Sequence, residues 1–263
     1  MAVPFLKWAG GKRWFVEHYH ELLPKNYNRY IEPFLGSGAV FFDLEPREGI
    51  ISDINRPLID TYLAIRENWR AVLGHLKTYA TNHSKDYYYL IRENIPRSRY
   101  AKAARFIYLN RTCWNGLYRV NKSGMFNVPI GTKTNVILST DNFEQIANIL
   151  QRSEIIHSDF EETIDRAREG DFLFIDPPYT VQHNNSFVKY NEKMFCWQDQ
   201  IRLRNAVIRA INRKVKLILT NANHPSILGL YANFNIHIVT RASVIAASNQ
   251  NRGKYEEIVV TYP

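Results

Sequence analysis

The chain has 263 residues, a formal net charge of +9 from 34 Lys plus Arg against 25 Asp plus Glu, and 45% hydrophobic residues. These values fit one globular domain with a large insertion and exclude long-range disorder as the main state. No apolar run approaches the roughly 20 residues of a membrane span, and no cleavable apolar segment follows Met1, so an intracellular protein without membrane contact is expected. The two cysteines, Cys113 and Cys196, cannot by themselves make a disulfide framework or a four-ligand zinc site, and neither metal nor redox chemistry is indicated.

In chain order, the first feature is a cationic, aromatic glycine turn, Lys7-Trp8-Ala9-Gly10-Gly11-Lys12. A strand over Arg29 to Glu32 runs into Glu32-Pro33-Phe34-Leu35-Gly36-Ser37-Gly38, and a helix begins near Ala39. A second strand spans Gly49 to Asp53. From Asn55 to about Ser153 the pattern becomes helical, with Leu58, Tyr62, Ile65 and Trp69 spaced as one face and another helix over Tyr100 to Asn110. Leu117 to Asn121, the turn Lys122-Ser123-Gly124, and Met125 to Ile130 read as a β-hairpin. Strands then follow at Glu154 to Asp159, Phe172 to Asp176, Val215 to Asn221, Asn235 to Val239 and Glu257 to Thr261. The polar stretches Gln182 to Glu192 and Ala246 to Lys254 read as loops. Alternation of apolar strands with helices predicts a mostly parallel α/β sheet of seven strands, with residues 56–153 as an insertion.

Four strands end in an acid: Glu32, Asp53, Asp159 and Asp176. Ligands of open α/β sheets lie outside the carboxyl ends of the strands, so four acids there are expected to converge on one crevice. Taken singly, each also suits a turn or a helix cap. The charge is uneven as well. Between Asn94 and Thr140 there is no acid, whereas Arg97, Arg99, Lys102, Arg105, Arg111, Arg119, Lys122 and Lys133 lie there; taking these eight from the 34 leaves 26 basic against 25 acidic residues elsewhere. Interleaved with Tyr100, Phe106, Tyr108, Trp114, Tyr118 and Phe126, this segment is expected to face a polyanion with stackable bases.

The strongest chemical signal is Asp176-Pro177-Pro178-Tyr179 after the apolar run Phe172-Leu173-Phe174-Ile175. Two prolines after an acid turn the chain away and leave carbonyls exposed. A carboxylate beside a prolyl carbonyl makes a two-acceptor clamp for an exocyclic amine, with the Tyr179 ring available to stack on a planar base. In the loop at Gly36 and Gly38 small residues let a ligand approach the backbone. A dinucleotide fingerprint is poor there, because Phe41 stands at the third glycine position. Asp53, 15 residues after Gly38, can take both hydroxyls of a ribose, so a ribosyl cofactor without a pyrophosphate fits better than NAD.

Together these pieces resemble the Dam family of DNA adenine-N6 methyltransferases, the D12 class of α-ordered amino-methyltransferases. The resemblance covers most of the chain: KWAGGK, EPFLGSG, the acid of SDIN, the basic insertion, HSDF, DPPY and the closing GKYEEIVVTY, in that family's order. Trp114-Asn115-Gly116-Leu117-Tyr118-Arg119-Val120-Asn121, followed by Phe126-Asn127-Val128-Pro129, is similar to the target-recognition hairpin of enzymes that methylate GATC.

The resemblance implies a Rossmann-like seven-stranded methyltransferase sheet, built from 1–55 and 154–263, with an inserted, mostly helical target-recognition domain over 56–153 that carries the hairpin. It implies S-adenosylmethionine as cofactor, with Trp8 through Lys12 at its methionine end, Phe34, Gly36 and Gly38 along its path, Asp53 on the ribose, and Asp159 with Phe160 on its adenine. Asp176 through Tyr179 would grip the flipped target base, and Asp176 borders the cofactor as well. Leu117, Arg119, Asn121 and Pro129 would contact the DNA, with Arg119 on a guanine or else on a phosphate. Trp114 or Asn115 would wedge into the gap left by the extruded base, and Lys7 would contact a base or a phosphate.

Double-stranded DNA is thus the implied partner, a cognate restriction endonuclease a functional one, and the cytoplasm of a bacterial or phage-infected cell the implied location; a monomer suffices for a target adenine on each strand. Cytosine-N4 methylation, methylation at other GAT-containing sites, a glutamine-amide methyltransferase and a catalytically silent DNA-binding module stay as alternatives. C5-cytosine methylation is disfavoured, because neither cysteine follows a proline as that family's nucleophile does.

Overall fold

The computed structural model describes residues 2–121, 123–182, 195–242 and 254–263. Apart from the end residues Gln182 and Lys254, the two expected polar loops fall outside this set, as does Lys122 of the expected turn. Two compact units are present, one of Met1–His18, Leu35–Gly49 and Asp53–His157, the other of Tyr19–Phe34, Ile50–Ser52 and Ser158–Pro263.

The strands are β1 (Tyr30–Glu32), β2 (Gly49–Asp53), β3 (Ser153–His157), β4 (Phe172–Ile175), β5 (Lys216–Ala222), β6 (Asn235–Ala242) and β7 (Lys254–Tyr262). They form one sheet in the order β3-β2-β1-β4-β5-β7-β6. β1 and β5 flank β4 in parallel, with Tyr30 opposite Phe172 and Ile175 opposite Leu219. β7 runs antiparallel to both β5 and β6. This is the Rossmann-like, mostly parallel seven-stranded sheet expected from the sequence. All four residues of β4 are buried, as a strand covered on both faces requires. Strand order reverses beside β1, and at such switch points the carboxyl ends of the strands face a crevice that binds ligands.

The helices are α1 (Arg13–Tyr19), α2 (Ala39–Leu44), α3 (Arg56–Thr81), α4 (Lys85–Glu93), α5 (Arg99–Thr112), α6 (Phe143–Leu150), α7 (Phe160–Asp165), α8 (Trp197–Asn212) and α9 (Pro225–Leu230). Several start on side-chain caps: Asn55 accepts from Leu58 N, Ser84 from Tyr87 N and Asn142 from Gln145 N. Leu58, Tyr62 and Ile65 form the buried face of α3, and Phe5 packs edge-on against Tyr62 at 5.2 Å.

Trp69 continues that face half-buried, and Val72, Leu76 and Tyr79 extend it at the same spacing. Asn68 leaves helical geometry (φ −153°, ψ 77°) and its Oδ1 accepts from Ala71 N at 3.0 Å, so it caps a restarted helix. The apolar spacing carries across this kink, and Trp69 lies under the Arg70 guanidinium at 4.5 Å.

The expected hairpin is present in reduced form. One isolated bridge, Val120 with Phe126, joins its arms, and a second pairs Ile130 with Cys113 ahead of the first arm, with no continuous ladder among the described residues. Pro129 has no N–H to give a ladder, though its carbonyl accepts from Trp114 N at 2.9 Å. The far arm is held from behind by Tyr88 of α4, fully buried, whose hydroxyl donates to Val128 O at 2.9 Å.

Candidate active site

In the first unit, the loop after β1 and the end of β2 are tied together. Asp53 accepts from Gly36 N at 3.0 Å through Oδ2 and from Asn55 N at 2.9 Å through Oδ1. Burial pushes the Asp53 carboxyl up, against the pull of the Asn55 and Gly36 N–H groups. Gly36 adopts φ +49°, and a Cβ there would stand 2.7 Å from Trp8 Cδ1, so only glycine lets the indole lie on this turn. Tyr62 donates to Gly36 O at 3.0 Å from below. The Trp8 ring stacks on Tyr118 at 5.8 Å. Lys12 is buried and donates through Nζ to Gly10 O at 2.9 Å.

In the second unit, Phe34 stacks on Phe160 at 5.3 Å and meets Phe195 edge-on at 5.7 Å. Arg202 of α8 covers Phe160 at 4.8 Å and donates to Asp159 Oδ1 at 2.8 Å. Asp159 does not end a strand. β3 stops at His157, and Asp159 caps α7 by accepting from Glu161 N at 2.9 Å. Glu32 does end β1, but it is buried and its Oε2 accepts from the Tyr30 hydroxyl at 2.9 Å. The cap and turn reading of strand-end acids therefore holds for Asp159, and Glu32 is a buried partner of the strand that carries it.

Asp176 follows β4 directly, and Thr220 of β5 donates to its Oδ1 at 2.7 Å. Gln200 of α8 donates to Pro178 O at 3.3 Å and accepts from Asn221 at 3.1 Å. Tyr179 donates to Glu257 Oε2 at 2.6 Å. Burial, the charges of Asp176 and Glu257, and that hydrogen bond hold the Tyr179 phenol well above its ordinary range. Asp176, Pro178 and Tyr179 are thus fixed by partners on β5, α8 and β7, all within one unit.

The turn and hairpin of residues 114–130 expose a few side chains. Trp114 is 53% exposed and Leu117 40%. Asn115 lies in left-handed geometry (φ 54°), and Pro129 is exposed. Arg119 donates to Asn127 Oδ1 at 3.0 Å across the hairpin. Asn121 Oδ1 accepts from Ser123 N and Met125 N, which makes Asn121 the turn former.

A family model described as D12 class N6 adenine-specific DNA methyltransferase matches residues 8–245. The chain belongs to that family. It is 37% identical over 268 aligned positions to the Type II methyltransferase M1.LlaDCHI of Lactococcus lactis subsp. cremoris, covering 98% of this chain and 94% of the relative. To the Type II methyltransferase M.MjaIII of Methanocaldococcus jannaschii it is 35% identical, covering 98% and 99%. A DNA adenine methylase of Vibrio cholerae serotype O1 is 30% identical, covering 98% and 95%. The protein is an adenine-specific DNA methyltransferase: its substrate is DNA, and it takes its methyl group from a methyl donor. Among the described residues no helix is long and apolar enough to cross a membrane.

For this methyltransferase the eight-cation segment requires correction. Arg111 is 1% exposed and makes a two-pronged ion pair with Asp141, both contacts at 2.6 Å, while also donating to Phe5 O and Val136 O. Arg105 donates to the Ile91 and Arg92 carbonyls, and Arg99 pairs with Glu67. Arg111 and Arg105 are spent inside the fold, whereas Arg99 is paired at the exposed surface. Phe106, Tyr108 and Phe126 are likewise buried, and Tyr100 and Tyr118 half-buried, so Trp114 is the one exposed aromatic of the six.

Thr220, Glu257 and Gln200, which orient the DPPY residues, were not singled out by the sequence. A polar Thr-Asn pair ending the apolar run Leu217-Ile218-Leu219, and an acid heading Ile258-Val259-Val260, are the signals that mark them.

Proposed function

We propose that the protein transfers the methyl group of S-adenosylmethionine to N6 of adenine in double-stranded GATC, with the target base flipped out of the helix and held by Asp176, Pro177, Pro178 and Tyr179. The observation that carries this reading is the Asp176 carboxylate, oriented by Thr220 beside the prolyl carbonyls at the end of β4. An exocyclic amine has two N–H bonds, and Asp176 with the Pro177 carbonyl supplies two acceptors. Accepting those bonds draws the nitrogen lone pair out of ring conjugation and stabilises the positive charge that grows on N6. Orientation of the held base supplies much of the remaining rate enhancement.

S-adenosylmethionine contributes an electrophilic sulfonium methyl and leaves as a thioether. The chain has groups suited to it. A carboxylate offers about four acceptor positions, more than the neighbouring N–H groups of Asp53 take up, so Asp53 suits two ribose hydroxyls. Phe34 and Phe160 offer aromatic surface near Asp159, and Trp8, Ala9, Gly10, Gly11, Lys12, Gly36 and Gly38 are assigned to the remainder of the cofactor.

Residues 1–55 with 154–263 form the catalytic part in this reading, and 56–153 the target-recognition part. Lys7, Trp114, Asn115, Leu117, Arg119, Asn121 and Pro129 contact DNA. The enzyme acts as a cytoplasmic monomer, and a restriction endonuclease of the same specificity is its functional partner. Support for GATC comes from the likeness of residues 114–129 to hairpins that read it.

Sequencing methylated adenines in DNA from cells expressing the chain tests the site. Methylation at GATC is expected, and modification confined to another sequence containing GAT would reassign it. Asp176→Ala should abolish transfer of labelled methyl to duplex DNA while DNA binding persists. Retained transfer would remove Asp176 from the chemistry.

A further inference from the structure

Asn110 lies in the last turn of α5 and is fully buried. Its side chain makes three hydrogen bonds. Oδ1 accepts from Lys7 N at 2.9 Å, while Nδ2 donates to Lys7 O at 2.8 Å and to Gly116 O at 3.3 Å. Pairing with both the N–H and the C=O of one residue fixes the direction of that backbone as well as its position. The third bond fastens the same point to the turn between Trp114 and Leu117. An amide is required here, because a carboxylate would lose both donors and an apolar side chain would leave all three backbone groups unpaired.

Two further contacts brace the junction. Gly116 has φ +67°, and a Cβ there would stand 2.7 Å from Lys7 Cδ, so the Lys7 stem lies directly on the turn. Trp8, the next residue, stacks on Tyr118 at 5.8 Å and on Phe106 at 6.5 Å. Three backbone segments distant in sequence, at 7–8, 110 and 116–118, thus share one register, and the exposed Trp114 and Leu117 project from it.

We propose that Asn110 is a specificity-positioning residue: it locks the Lys7–Trp8 segment to the base-reading turn at Gly116, and discrimination between DNA sequences depends on that lock. This rests on the reading that residues 114–129 contact the DNA bases. A fully buried side chain cannot touch DNA, so Asn110 acts through the groups it holds. Base readout needs those groups placed to within about half an ångström, which a loop of isolated bridges does not secure alone.

The test compares kcat/KM on a duplex carrying the wild type's own preferred site, found by sequencing methylated adenines, with duplexes altered at one base pair. Asn110→Asp keeps the acceptor and removes both donors at nearly constant size. Gly116→Ala breaks the same register from the other side, through its Cβ and its positive φ. Each should lower discrimination about tenfold, the scale of one lost base contact. Thermal melting establishes that both variants fold, and if one does not, the other carries the comparison. Equal loss on every duplex, with the wild-type ratio kept, would make Asn110 merely structural and overturn the proposal. Wild-type methylation of adenines without sequence preference would instead defeat the underlying reading of residues 114–129, and the proposal with it.

Discussion

The Thr220 hydroxyl donates to Asp176 Oδ1 at 2.7 Å from the strand that runs parallel beside β4. A carboxylate at the start of a prolyl turn can rotate about its side-chain bonds, and this bond selects one orientation. Thr220→Val keeps the shape and removes the donor. Hydrogen bonds to charged groups are worth about 1.5–3 kcal/mol, so kcat should fall at least roughly tenfold with little change in KM for DNA. Steady-state kinetics on a duplex carrying the enzyme's own methylation site measures it, and an unchanged kcat would mean that Asp176 is oriented by something else.

Tyr179 and Glu257 make a second such pair, 2.6 Å apart. The phenol is held well above its ordinary value, so the folded state keeps this proton where the unfolded chain releases it. Its contribution to stability is therefore complete below the ordinary phenol value near pH 10 and declines as pH rises beyond that. Tyr179→Phe removes the contribution and keeps the ring. The melting temperature of the wild type minus that of Tyr179→Phe should be constant from pH 7 to about pH 9.5 and shrink above it. A difference that stays flat through pH 11 would show that the proton is not held.

These pairs also show what the sequence carries and what it does not. Asp176 through Tyr179, and Glu32 through Gly38, were legible because each motif is contiguous and sits at the carboxyl end of an apolar run. Their supports were not. Thr220 lies 44 residues from Asp176 and Glu257 lies 78 from Tyr179, and only sheet order brings them together. Counting charges failed for the same reason. Arg111 reads as a free cation until its partner Asp141, 30 residues on, is seen to enclose it. The apolar period of α3 runs through Trp69 to Tyr79, but a period cannot register the cap at Asn68 inside its own run.

The two cysteines should differ sharply in reactivity. Cys113 is buried, and burial pushes its thiol up to about 11; Cys196 is exposed. The thiolate is the reactive form, so at pH 8 iodoacetamide should modify Cys196 and leave Cys113 intact, as peptide mass spectrometry would show. Methyl transfer should survive Cys113→Ser in any variant that folds, because amine methylation uses no thiol nucleophile. Loss of transfer by a folded Cys113→Ser would require a different chemistry.

Arg111 and Arg119 lie in the same basic segment and should respond in opposite ways. Arg111→Met leaves the Asp141 carboxylate buried without its cation and takes the donor from Phe5 O and Val136 O. Breaking a buried pair of this kind costs about 3–5 kcal/mol, so denaturant unfolding should show a large loss of stability. The salt dependence of DNA binding by the remaining folded protein should not change, since a buried guanidinium releases no counterions. Arg119→Ala should leave stability within about 0.5 kcal/mol. It should relax discrimination at one base pair by about 1–3 kcal/mol if Arg119 reads a guanine, or reduce the slope of log K against log salt by about 1 if it holds a phosphate. Fluorescence anisotropy on matched and altered duplexes at several salt concentrations separates these outcomes. A reduced salt slope for Arg111→Met would return that cation to the DNA-facing set and undo the division of the segment into internal and external charge.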